Sequence, residues 1–204
     1  MLELLLATHN PGKVREIRQL ATGHDWLWHS LDDFPDVPEA IEDAETFSAN
    51  ARRKALHYAA ATGLPTLADD SGLEVDCLGG APGVLSARYA GRPHDDAANN
   101  RKLVAALEGI PREQRTARFR CVMVLARPNE VLAETRGAVE GIIIDKPRGT
   151  NGFGYDPHFL IPSLGKTMAE LPAEEKNARS HRGQALRAML PEIARLLGTQ
   201  SRAG

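Results

Sequence analysis

The run Leu4-Leu5-Leu6-Ala7, closed by Thr8-His9-Asn10-Pro11-Gly12, predicts a buried strand entering a turn. Apolar residues then recur at Val14, Ile17 and Leu20, which predicts a helix over Lys13 to Leu20. Asp25 to Ser30 reads as a second strand, and the acidic segment Asp32 to Asp43, broken by Pro35 and Pro38, as a loop. From Thr46 to Thr62, Phe47, Ala51, Ala55, Leu56 and Ala59 form a helical stripe that Gly63 stops ahead of Pro65. Thr66-Leu67-Ala68 predicts a short strand running into Asp69-Asp70-Ser71-Gly72, with another strand over Leu73 to Leu78. This spacing puts the paired aspartates between two strands.

Downstream, Gly79-Gly80-Ala81-Pro82-Gly83 is a turn cluster, Asp95 to Leu107 reads as a helix and Ala117 to Arg127 as a strand. A further strand or hairpin spans Leu132 to Ile144, Gly149 to Pro157 is glycine-rich loop, and Phe159-Leu160-Ile161 is a short strand. Ala173 to Leu197 reads as mostly helical, with Pro191 as a break or a new first turn. There is no internal repeat.

With 204 residues the chain can bury one sizeable core, or two lobes sharing a sheet, which predicts one folding unit. Hydrophobic residues at 42% and charged residues at 25% are the ordinary soluble mixture. A net charge of -2 supplies no global field for nucleic acid or an anionic membrane, so an anionic substrate must be held by local clusters. Cys77 and Cys121 lack metal-ligand spacing and lie in apolar segments, which predicts buried thiols in a reducing, cytoplasmic compartment. The apolar start Leu2 to Ala7 is too short for a signal or membrane segment.

Four constellations could carry chemistry. Thr8-His9-Asn10-Pro11-Gly12-Lys13 delivers small polar residues and a lysine to a helix start, which suits an anion such as phosphate; a helix cap with a solvated lysine is the alternative. Asp69-Asp70, with Glu42 in the acidic loop, offers oxygen ligands for Mg²⁺ and a carboxylate to activate water; a turn in which an aspartate caps backbone N–H groups is the alternative. Gly149-Thr150-Asn151-Gly152-Phe153-Gly154-Tyr155-Asp156 sets aromatic rings on a flexible backbone, as a planar base would require, or else is a hairpin loop with core aromatics. In Glu174-Glu175-Lys176-Asn177-Ala178-Arg179-Ser180-His181-Arg182-Gly183, Lys176 and Arg182 could bind a phosphate or a carbonyl oxygen and His181 a base edge, while the mixed charges could equally be a solvated helix face and Ser180 a cap between two helices. All four functional readings call for one ligand, a nucleotide polyphosphate.

The order and spacing of Ala7 to Lys13, Ala68 to Leu73, Gly79 to Gly83, Ser86-Ala87-Arg88-Tyr89, Gly152 to Pro157 and Ser180 to Gly183 resemble the inosine triphosphate pyrophosphatases, the Ham1-like family, over nearly the whole chain. The resemblance implies one two-lobed domain over residues 1–204, a mixed α/β fold with a long twisted central sheet flanked by helices, and an active-site cleft between the lobes. It implies a cytoplasmic homodimer that uses Mg²⁺ to hydrolyse the non-standard purine nucleoside triphosphates ITP, dITP and XTP to monophosphate and pyrophosphate, with no nucleic-acid or membrane partner. By position, Asp70 is the catalytic base and, with Glu42, a metal ligand. Thr8, His9, Asn10, Pro11, Gly12, Lys13, Lys54, Ser71, Phe153, Gly154, Tyr155, Asp156, Lys176, His181 and Arg182 bind substrate. One departure stands out: the family commonly has Thr-Phe-x-Glu-Asn where this chain reads Thr46-Phe47-Ser48-Ala49-Asn50, so either that glutamate is dispensable or Glu45 covers the same region.

Overall fold

The computed structural model describes residues 1–91 and 94–198 and shows a mixed α/β architecture. The strands are β1 (Leu2–Leu6), β2 (Trp26–Ser30), β3 (Thr66–Val75), β4 (Thr116–Arg127), β5 (Glu130–Ile143), β6 (Phe159–Ile161) and β7 (Lys166–Thr167). They are hydrogen-bonded in the order β2-β1-β3-β4-β5-β6-β7. β1 runs parallel to β2 and β3, whereas β6 is antiparallel to β5 and β7. The helices are α1 (Pro11–Leu20), α2 (Phe47–Thr62), α3 (Asp96–Ala106), α4 (Ala173–Arg179) and α5 (His181–Leu197). None of the described helices is long and apolar enough to cross a membrane.

Local chemistry accounts for the boundaries. Leu4, Leu5 and Leu6 are fully buried because β1 is paired on both edges, so its apolar run is continuous rather than alternating. In α2, Thr46 Oγ1 accepts the Ala49 N–H at 3.1 Å and Gly63 ends the helix at φ 73°. β4 and β5 are joined by the two-residue turn Pro128-Asn129, where asparagine tolerates φ 65°.

Three expectations are corrected. β3 is one strand through Asp69-Asp70-Ser71-Gly72, not two strands around a turn: side chains from other elements, rather than nearby backbone N–H groups, engage the two carboxylates. Pro191 lies inside α5, and the chain breaks at Ser180 instead. Pro191 and Arg187 are both exposed, so the carbonyl that loses its helical donor can face water. Cys121 is buried as expected, but Cys77 is exposed, because β3 ends at Val75 and Asp76 turns away to bond Arg118 and Thr116.

The described chain divides into two compact units. Unit 1 comprises residues 1–70, 121–137 and 182 onward, and packs Leu4, Leu6, Ile17, Leu67, Met123, Leu125, Leu186 and Met189. Unit 2 comprises residues 71–120 and 138–181, and packs Leu73, Val75, Leu103, Phe119, Ile143, Tyr155 and Phe159.

Candidate active site

In unit 1 the end of β1 delivers Thr8 to Asn10 to the start of α1. Asn10 is the cap: its Oδ1 accepts from Gly12 N at 2.9 Å and Lys13 N at 3.2 Å, while Asn10 N donates to Thr8 Oγ1. Pro11 fits the first helical position, where no N–H is needed. Two first-turn donors that could serve an anion are thus engaged internally. Lys13, in contrast, is not the solvated lysine of a plain cap, because its Nζ lies 2.9 Å from Asp69 Oδ2. His9 is exposed, 3.7 Å from Asp32. A cavity of about 170 Å³ gathers Thr8, His9, Glu42, Lys54 and Tyr58.

Asp69 and Asp70 leave β3 into different surroundings, as adjacent strand positions do. Asp69 sits between Lys13 and Arg182, the latter 3.4 Å away. Burial pushes its carboxyl up, but Lys13, Arg182 and Lys54 overcome this and hold it well below the usual carboxylate range. Arg182 is itself 2% exposed and also pairs with buried Glu16 at 2.5 Å. Burial opposes its charge, and Asp69 and Glu16 restore it. Asp70 shows the opposite balance. Burial raises its carboxyl above the ordinary value, against the pull of Lys54 and Lys13 and a hydrogen bond with Asn50, and with Glu42 adding to the rise. Lys54, buried on α2, is 3.1 Å from Glu42; burial disfavours its charge, but Glu42, Asp69 and Asp70 keep it raised.

The donor set fits a hard divalent cation. Glu16, Glu42, Asp69 and Asp70 face Lys13, Lys54 and Arg182, one negative charge in excess before any triphosphate arrives. Among the described residues no three His, Cys, Asp or Glu side chains form a closed cage. Mg²⁺ needs none, since it is commonly held by one or two carboxylates with water and substrate oxygens completing its shell. Asp70, whose ionised form is left undercompensated, and Glu42 are the carboxylates that could serve in this way. Ala49 donates its N–H to Thr46 and brings no ligand, and Glu45 is exposed ahead of the α2 cap.

In unit 2 the loop after β5 is held from several sides. Asp156 Oδ2 accepts from Phe153 N at 3.0 Å and from Lys176 Nζ at 2.7 Å, and Tyr155 donates its hydroxyl to Ser86 O at 2.7 Å. Tyr155 is therefore a core aromatic, with burial raising its phenol. Phe153 stays half-buried, its ring 4.8 Å from Lys176 Nζ. His181 is buried and stacked on Phe119 at 4.9 Å, and Ser71 is half-buried just beyond Asp70. Gly152 is at φ 78°, and a Cβ there would overlap the Asp156 carboxylate and lie 3.0 Å from Lys176 Nζ. Gly152→Ala is thus expected to destabilise by about 1–3 kcal/mol through left-handed strain and to displace the Asp156–Lys176 pair, read as a lower unfolding temperature together with a higher KM.

Unit 1 thus brings together Thr8 to Lys13, Glu42, Lys54, Asp70 and Arg182; unit 2 brings together Phe153 to Asp156 and Lys176, and also carries Ser71 and His181. Sequence reasoning passed over Asn50 and Glu16. Asn50 carried a signal, a polar residue on the apolar stripe of α2 one turn before Lys54, and both are buried. Glu16 carried none, since only the tertiary position of Arg182 makes a buried acid favourable there.

The Ham1 family profile matches residues 4–192. The chain is 54% identical over 186 residues to a dITP/XTP pyrophosphatase of Geobacter sulfurreducens, covering 91% of this chain and 94% of that protein. It is 50% identical over 195 residues to a dITP/XTP pyrophosphatase of Desulforamulus reducens, covering 96% and 97% respectively. Among solved structures, a HAM1 protein from Coxiella burnetii superimposes with a TM-score of 0.87 at 43% identity, covering 96% of this chain and all of that one. A profile match over most of the chain, relatives this similar along their full length and a shared backbone lead to one conclusion: the chain belongs to the Ham1 family.

Proposed function

We propose that the chain is a nucleoside-triphosphate pyrophosphatase acting on non-standard purine nucleotides, ITP, dITP and XTP, and releasing the nucleoside monophosphate and pyrophosphate. The observation that carries this reading is Asp70: a buried carboxylate with a raised pKa, set beside Lys54 and Asn50 in a chain whose relatives bear the name dITP/XTP pyrophosphatase. A carboxylate so placed can orient the attacking water and take its proton. Water attacks the α phosphorus, its proton passes to Asp70, and the bond from the α phosphorus to the bridging oxygen breaks as pyrophosphate leaves.

Lys13 and Lys54 bind the phosphate oxygens. Each ammonium has three donors, so a carboxylate partner leaves donors for substrate. Glu42 and Asp70 would hold Mg²⁺, which when bound offsets the charge of the triphosphate. Positioning and charge stabilisation then supply most of the acceleration. Thr8 to Gly12 shape the phosphate end, with Ser71 next to Asp70 along the chain. Phe153 is the platform for the base, framed by Gly154, Tyr155 and Asp156. Lys176 takes the carbonyl-oxygen role rather than the phosphate one, since it lies against Phe153. Donors from His181 and Arg182 suit the 6-oxo group of hypoxanthine or xanthine and mismatch the amino group of adenine.

The two units are read as lobes of one domain over residues 1–204, in a cytoplasmic homodimer without nucleic-acid or membrane partners. The deciding experiment identifies the products from ITP, XTP, GTP and ATP with Mg²⁺ and with chelator. Pyrophosphate from ITP and XTP, lost on chelation, is expected; orthophosphate as the product, or a preference for ATP, would overturn the reading.

A further inference from the structure

The backbone of Gly154 is gripped from α3. Asp96 Oδ2 accepts the Gly154 N–H at 2.8 Å, and Asn100 Nδ2 donates to the Gly154 carbonyl at 2.9 Å. Asp96 and Asn100 are one helical turn apart, so they present an acceptor and a donor side by side on one face. The match is complementary: the acceptor meets the N–H and the donor meets the C=O of a single residue.

Both clamping side chains are anchored. α3 is capped by Asp95, whose Oδ1 accepts the Ala98 N–H at 2.9 Å. Within the same turn, Asn99 bonds the Ala90 N–H and the Ala87 carbonyl, fixing the helix to the preceding segment. The other Asp96 oxygen lies 2.5 Å from His94 Nε2. On the far side of the loop, Asp156 and Lys176 hold the Phe153 N–H and ring, and Tyr155 is tied to Ser86. Gly154 itself sits at φ 62°, a conformation with little intrinsic preference for one position, so the contacts around it decide where its neighbour Phe153 stands.

We infer that Asp96 and Asn100 are positioning residues for the purine: by clamping Gly154 they fix the Phe153 ring, so that α3 helps to set base affinity. This inference rests on the reading of Phe153 as the base platform, and stacking is sensitive to where a ring lies. A purely structural role for the pair would lower stability and activity toward any triphosphate. A positioning role weakens only substrates that carry a base, and only while the ring is present.

The test uses the full chain with ITP and with ribose 5-triphosphate, which lacks a base, and compares Phe153→Ala, Asp96→Ala, Asn100→Ala and the double variants. Phe153→Ala should raise the KM for ITP by about fivefold or more, as loss of one stacking contact does. Asp96→Ala and Asn100→Ala should also raise it, with kcat little changed and the KM for ribose 5-triphosphate at the parent value. In the Phe153→Ala background neither should raise it further. Asp96→Asn, which keeps an acceptor for the Gly154 N–H, should stay near the parent and guards against misfolding of the alanine variant. An unchanged KM for ITP in Phe153→Ala would sink the platform reading and the inference with it. If Phe153→Ala behaves as expected but the α3 variants leave KM unchanged, add to it in the double variants, or raise KM equally for ribose 5-triphosphate, the inference alone fails.

Discussion

Asp70→Asn is expected to reduce kcat by about 10²–10⁴-fold, the usual contribution of a positioned base, while raising the unfolding temperature of the metal-free protein at neutral pH. The two effects share a cause. Burial raises the Asp70 carboxyl above its ordinary value more than Lys54, Lys13 and Asn50 lower it. A raised folded-state pKa favours the protonated form, so the group's contribution to stability is present below its unfolded-state pKa and is lost as pH rises through the folded one. At neutral pH the carboxylate is therefore a burden that asparagine removes, and the gain should vanish in acid. In the parent enzyme kcat should fall in acid, as Asp70 becomes protonated and can neither take the water's proton nor hold the metal. Mg²⁺ should raise the unfolding temperature of the parent and much less that of Asp70→Asn, because a ligand stabilises the state that binds it. Thermal scans with and without metal, beside single-turnover rates, check both halves. Near-normal turnover in Asp70→Asn would end its assignment as the base.

Arg182→Met is expected to destabilise the chain by about 3–5 kcal/mol, the effect of removing one partner from a buried charge network. Arg182 is buried between Glu16 and Asp69, and methionine of similar length would leave both carboxylates without a guanidinium, with Asp69 still beside Lys13. The acid side of the stability curve should move as well. Asp69 is held below the ordinary range, so its pairs add stability above its unfolded-state pKa that is lost as pH falls through the depressed folded value. Without Arg182 that depression shrinks, so the loss should be smaller and complete at a higher pH, closer to the ordinary aspartate value of about 4. Denaturant unfolding across pH would show it. Unchanged stability would mean that the Glu16–Arg182–Asp69 pairs contribute nothing net.

The elements with a strong local signal were legible. The leucine run of β1 and the stripe of α2 with its glycine stop are set by periodicity and capping, which act within one turn or one strand, whereas α1 starts at Pro11, ahead of the Lys13 that its apolar spacing predicts. Candidate chemistry was legible as residue types in order along the chain. Where local rules failed, a distant partner had replaced a local one. Asp69-Asp70 reads as a turn because aspartates usually bond nearby backbone, yet here Lys13, Arg182, Lys54 and Asn50 serve them and the strand continues. Pro191 reads as a break, yet its exposed position lets the helix continue past it.

By itself, then, the sequence determined the mixed α/β pattern, the glycine stop of α2 and the set of acids, lysines and ring-bearing glycine loops, because each depends on neighbours a few residues away. Tertiary structure alone decided that Asp69 stays ionised while Asp70 is pushed toward protonation. Two adjacent, chemically identical carboxyls differ through their burial and through the neighbours at residues 13, 42, 50, 54 and 182, and electrostatics in a low-dielectric interior depends on distance in space rather than along the chain.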